Sequence, residues 1–291
     1  MRALATLVCL LVLAHSARGQ IQVELKFKRL QYIAYEPVFA SVAITNLAGR
    51  DIELSDEGGQ HWFGFEVTGE DGRLLAPVKA GTAEPPLSVP AGKTVTRKVN
   101  LTPAFAVHDY GAYHVRANVF FPDLNKFFYS PTKVFQVTDA RAIWQKTVGL
   151  PTGTAGGGDV RTYSLLSNRF PDHTSLYVRV EDKTTGVVYS TYSLGRVIAY
   201  DEPQAELDPA NQLHVLCCSA PRTWSYSHIG LNGELLAQST FMTTKTRPRL
   251  RHAPDGTIAV HGGMVDLPAA RSVRGGAPKL SARPPAIPRD D

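Results

Sequence analysis

Cysteine and methionine are scarce, with three of each in 291 residues. That excludes a small scaffold stapled by many disulfides. Charge of one sign is not in excess either: 31 basic residues stand against 26 acidic ones. A nucleic-acid partner, which needs a strongly basic face, is therefore not expected. No segment reaches the ~20 consecutive apolar residues of a membrane-spanning helix, and the composition does not suit a coiled coil. The GxSxG nucleophile elbow, the HExxH zinc helix, the Walker loop, the EF-hand loop and the dinucleotide fingerprint do not occur. These absences remove the commonest enzyme chemistries. Glycine and proline are plentiful instead, at 24 and 20 residues. Together they exceed ordinary usage and mark a chain rich in turns.

Residues 1–19, MRALATLVCLLVLAHSARG, read as a secretory signal peptide. Arg2 gives a positive start, residues 4–14 form the apolar stretch, and Ala17-Arg18-Gly19 offers small residues for cleavage near Gly19. The apolar stretch is too short to span a bilayer. The expected location is secreted or periplasmic. Without Arg2 and Arg18 the 31 basic residues become 29, against 26 acidic, a weak net charge. The mature chain keeps Cys217 and Cys218, which are neighbours. Adjacent side chains of a strand point to opposite faces, so one buried thiol and one outward thiol are expected. No second cysteine pair completes a zinc set, and neither a metal nor a cofactor is expected.

Residues 20–138 alternate with period two, the pattern of strands with one buried face. Ile21, Val23, Leu25 and Phe27 alternate with Gln22, Glu24, Lys26 and Lys28; Tyr113, Val115, Ala117 and Val119 form a later run. About seven such runs suit an antiparallel sandwich. Asp109-Tyr110-Gly111-Ala112-Tyr113-His114-Val115 resembles the tyrosine corner of immunoglobulin-like domains. In that family the tyrosine hydroxyl bonds back to upstream backbone. Val115 stands where an antibody domain has its second cysteine, and Trp62 is placed as the core tryptophan. The resemblance is to the immunoglobulin-like or fibronectin type III class of secreted bacterial modules. It implies a β-sandwich over 20–138 and leaves function open, because this fold hosts many activities.

Residues 139–158 read as a linker, with a glycine-rich run from Pro151 to Gly158. Residues 159–265 are again β-rich. Strand onsets at Leu176, Leu213 and Ile258 recur every 37 to 45 residues. Such strand-turn-strand units are similar to propeller blades, but too few fit for a closed ring. The expectation is an incomplete, propeller-like β-meander. Residues 266–291, rich in proline and arginine without apolar periodicity, read as a disordered tail.

The run Phe120-Phe121-Pro122-Asp123-Leu124-Asn125-Lys126-Phe127-Phe128-Tyr129 reads as a hairpin with its loop at residues 122–126. Alternation buries one residue of each Phe-Phe pair, and exposed aromatics mark contacts. Phe121, Phe127 and Tyr129 are the expected contacts, for a protein or a polysaccharide partner outside the cytoplasm. Packing of these rings against the second β region is the competing expectation. A non-enzymatic binding or interaction role follows. The alternative is a carbohydrate-active hydrolase or its accessory binding module. Its carboxylates would come from Asp201-Glu202 or from Glu70 and Asp71. His214, His228, His252 and His261 share the second β region, where strands can bring three together as metal ligands or as a general base.

Overall fold

A computed structural model describes residues 20–78, 84–150, 158–198 and 201–266. The signal peptide expected at 1–19, the glycine-rich run at 151–157 and the disordered tail expected after Asp266 lie outside the described residues. The described chain is all-β: it has no α-helix, and no helix long and apolar enough to cross a membrane. It forms two compact units, residues 20–197 with 230–234, and residues 198–229 with 235–266.

The first unit begins with β1 (Ile21–Phe27), β2 (Gln31–Ile33), β3 (Phe39–Asn46), β4 (Ile52–Leu54), β5 (Phe63–Thr68), β6 (Leu87–Val89) and β7 (Thr94–Asn100). It continues with β8 (Gly111–Phe121), β9 (Lys126–Tyr129) and β10 (Lys133–Thr138). One sheet runs β1-β3-β7. A second runs β2-β10-β8-β5, with β9 also on β8. The alternation decides which face is buried: β1 buries Ile21, Val23 and Leu25 and exposes Gln22, Glu24 and Lys26. Val42 and Ile44 of the first sheet share one core with Val115, Phe121 and Phe135 of the second, and with Trp62. The eleven residues of β8 are long enough to carry β5 on one edge and both β10 and β9, end to end, on the other.

Tyr113 is buried in β8. Its ring stacks on Phe135 with centroids 5.4 Å apart, and its hydroxyl donates to the Asp109 carbonyl at 2.9 Å. Burial and the nearby Asp109 carboxylate hold the phenol above its ordinary pKa, so it remains a donor at neutral pH. Tyr113→Phe keeps the ring and removes only that bond. The expected loss is about 1 kcal/mol in urea unfolding followed by circular dichroism. An unchanged midpoint would show that the bond contributes nothing.

The stretch expected as a linker is different. It contains β11 (Arg141–Gly149), the outer strand of a four-stranded antiparallel meander with β12 (Val160–Arg169), β13 (Thr174–Asp182) and β14 (Val188–Val197). β11 is exposed or half-buried along its whole length, so it has no buried alternation to betray it. Leu176 is the third residue of β13, not a strand onset.

The second unit holds β15 (Gln204–Leu207), β16 (Leu213–Ala220), β17 (Thr223–Ile229), β18 (Leu235–Met242), β19 (Arg249–His252), β20 (Ile258–His261) and β21 (Met264–Val265). The sheet order is β15-β16-β17-β18-β21, with β19 and β20 as a separate hairpin. Leu213 and Ile258 do begin strands. Leu216, Cys218 and Trp224 form a small core joined by Tyr226, Phe241, Leu250 and Val260. The expectation of one outward thiol is corrected: Cys217 and Cys218 are both buried and both free, because β16 is buried on both faces from Leu213 to Cys218. Burial pushes the Cys217 thiol up to about 12, which makes it a poor nucleophile.

Candidate ligand-binding site

The aromatic run forms a hairpin between β8 and β9. Its turn is one 3-10 turn, Pro122–Leu124, closed by Asn125 in the left-handed conformation at φ 47°. Phe121 therefore pairs with Lys126, Phe120 with Phe127, and Asn118 with Tyr129. Phe121 is 0% exposed and belongs to the core. The expectation that it makes contacts at the surface is corrected on that ground. Phe127 and Tyr129 share the other face. Phe127 is half-buried over Phe120, with ring centroids 5.0 Å apart, and Tyr129 is 43% exposed. Arg116 lies over the Tyr129 ring at 4.4 Å and pairs with Glu66 at 2.5 Å. Trp62 and Val115, expected as structural residues, are both fully buried.

Phe127 also lines a cavity of about 530 Å³ with Phe63, Phe65, Val99, Pro103 and Phe105. Gln60, His61, Asn118 and Glu84 bring polar groups to the same cavity. β5 puts Phe63 and Phe65 on one side of the strand because they are two residues apart. Gly64 lies between them, and a methyl group there would meet Asn118 Oδ1 at 2.9 Å. The imidazole of His61 is fixed by Asp56 at 2.8 Å. The Asp56 carboxyl also accepts the Trp62 N–H at 2.9 Å; that bond first, and His61 second, hold it below the usual carboxylate range. A larger groove of about 780 Å³ runs between β1 and the far side of the hairpin, where Phe128 and Tyr129 border it. Gln22, Glu24, Lys26 and Lys133 make that groove more polar. The hairpin thus has a concavity on each side, and the one that contains Phe127 is the more aromatic.

The other sequence candidates are engaged locally. Asp201 pairs with Arg247, and Glu70 accepts the Ala112 N–H at 3.3 Å. His252 lies 3.7 Å from Glu206, and His261 stands opposite Arg249 in the β19–β20 hairpin. His214 and His228 face each other across β16 and β17. Burial, and then the neighbouring His214, hold His228 below the usual imidazole range. Among the described residues, only the cluster of these two histidines with Asp208 converges as donor groups for a metal ion. Phe63, Phe65 and Phe105 were not singled out from sequence. The Phe-Gly-Phe spacing was the available signal, since it puts two aromatics on one face of a strand while the glycine between them, on the other face, lets Asn118 approach closely. No family model, no curated protein and no solved structure matches this chain.

Proposed function

We propose that this is a secreted or periplasmic binding protein without catalytic activity, and that the Phe63–Phe65–Phe105–Phe127 cavity takes a ring-bearing group of a protein or polysaccharide partner. The observation that carries this reading is the cavity's aromatic lining beside a half-exposed hairpin. Apolar cavities with a few polar groups are the usual form of a ligand site. Tyr129, flanked by Arg116 and Glu66, adds a flat ring with charged neighbours, which suits a sugar face as well as a side chain. We read residues 20–138 as an immunoglobulin-like sandwich. The Tyr113 hydroxyl on Asp109 supports this. We read residues 159–265 as an incomplete propeller-like β-meander, which the antiparallel runs β12–β14 and β15–β18 support.

Anilinonaphthalene sulfonate, a fluorescent probe of accessible apolar surface, tests the cavity directly. The native chain is expected to bind it saturably. Phe127→Ala and Phe65→Ala are each expected to weaken that binding by about tenfold or more, the equivalent of one buried aromatic ring. Glycan and peptide panels then compete for the same site. Absence of saturable binding, or equal affinity in both folded variants, would remove the cavity as the site.

A further inference from the structure

We propose that Asp208, His214 and His228 form a binding site for one divalent transition-metal ion, with zinc as the best match. The site lies wholly in the second unit and is independent of the aromatic cavity. The register of β16 on β17 places His214 directly opposite His228, and their imidazoles stack with centroids 4.2 Å apart and planes at 18°. Asp208 comes from the turn that leads into β16. Its Oδ1 accepts the N–H groups of Ala210 at 2.9 Å and Gln212 at 2.8 Å. That turn fixes the carboxylate with Oδ2 aimed at His214 Nε2, 3.2 Å away.

The Tyr226 hydroxyl lies 2.7 Å from His214 Nδ1. It occupies that nitrogen and leaves Nε2 as the ligand atom. A hydrogen-bond partner on the far nitrogen is the usual way a metal-bound histidine is oriented. Gln212 Oε1 lies 2.7 Å from His228 Nε2. One ligand atom from each of Asp208, His214 and His228 lies within 4.8 Å of the other two. Zinc bonds of about 2.0–2.2 Å put tetrahedral ligand atoms about 3.3–3.5 Å apart. The Asp208–His214 pair, at 3.2 Å, already has about that spacing, and an ion taken up on His228 Nε2 would replace the Gln212 bond there.

The donor set decides the kind of ion. Two imidazoles and one carboxylate suit zinc and its first-row neighbours, whereas calcium and magnesium prefer oxygen ligands throughout. Three protein ligands leave a fourth position for water or a partner's ligand atom. The side chains of His214 and Asp208 are only 6% and 14% exposed. Only His214 of the three is fully buried; Asp208 and His228 are partly exposed, which leaves an ion a way in.

The test is titration of the purified full chain with cobalt(II), read by visible absorption, followed by competition with zinc. One equivalent is expected to bind in a low-symmetry four-coordinate spectrum, and zinc is expected to displace it while magnesium and calcium are not. His228→Ala, on the more open side of the site, is expected to abolish binding while keeping cooperative unfolding. Tyr226→Phe, a positioning change that keeps the ring, is expected to weaken zinc about 10–100-fold. The double change Cys217→Ser, Cys218→Ser is expected to leave binding intact. The proposal is overturned if the wild-type chain takes up no cobalt or zinc in large excess, if folded His228→Ala binds as well as wild type, or if loss of the two thiols abolishes uptake.

Discussion

Trp62→Ala is expected to destabilise the first unit by about 3–5 kcal/mol, the range for removing a large aromatic from a packed core. Trp62 is fully buried just before β5. Its indole N–H donates to the Glu84 carbonyl at 3.2 Å, and the Arg97 guanidinium lies 5.1 Å above its ring. Alanine leaves a void and an unbonded carbonyl, and it takes one of the two aromatic rings, Trp62 and Phe63, that the Arg97 guanidinium covers. The neighbouring Phe63, 5.4 Å away between ring centroids, lines the aromatic cavity. The same change is therefore expected to weaken probe binding. Trp62→Phe retains most of the volume and is expected to cost less. Urea unfolding followed by near-ultraviolet and far-ultraviolet circular dichroism measures both, and a loss under about 1 kcal/mol for alanine would contradict the assigned packing.

Period-two alternation made β1 and β8 readable, because each has one buried face. It could not reveal β11, whose faces are both largely exposed, or the double burial of β16. The aromatic hairpin shows where the limit lies. A loop of residues 122–126 would pair Phe121 with Phe127. The actual turn ends at Asn125 and pairs Phe121 with Lys126. A one-residue change of register turns every later side chain to the other face. Phe121 went into the core, Phe127 is half-buried against it, and Tyr129 is exposed. Asn46 gave no signal at all. It is fully buried at the end of β3, donating to the Arg50 carbonyl at 2.7 Å and the Val89 carbonyl at 2.8 Å. Nothing local distinguishes such an asparagine from one in a solvated turn. His214 and His228 were legible as members of one region but not as a pair, because the register of β16 on β17 is a property of the hairpin and not of either residue.

Arg161→Ala is expected to cost about 3–5 kcal/mol, as for the loss of one partner from a buried ion pair. Arg161 donates to Asp182 Oδ2 at 2.9 Å and to Asn232 Oδ1 at 3.2 Å, and its guanidinium lies 4.2 Å from the centre of the Tyr189 ring. The Asn232–Gly233 turn is held close: a methyl group on Gly233 would lie 1.7 Å from Ser190 Oγ. Arg161→Lys keeps the charge but not the planar fork, so it is expected to recover only part of the loss. The other partner sets a pH dependence. Asp182 accepts the N–H groups of Thr185 at 2.7 Å and Thr184 at 2.8 Å. The Thr185 N–H foremost, with help from Thr184 and Arg161, holds the Asp182 carboxyl below its ordinary value. A group lowered by folding adds stability above its unfolded pKa, about 3.9 for aspartate, and loses it as pH falls through the folded value. The first unit is therefore expected to weaken as pH drops below about 4. Asp182→Asn keeps the acceptor oxygen and removes the charge, so urea midpoints measured across that range are expected to fall less steeply than in the wild type. Equal slopes would mean that the ion pair does not couple folding to proton uptake.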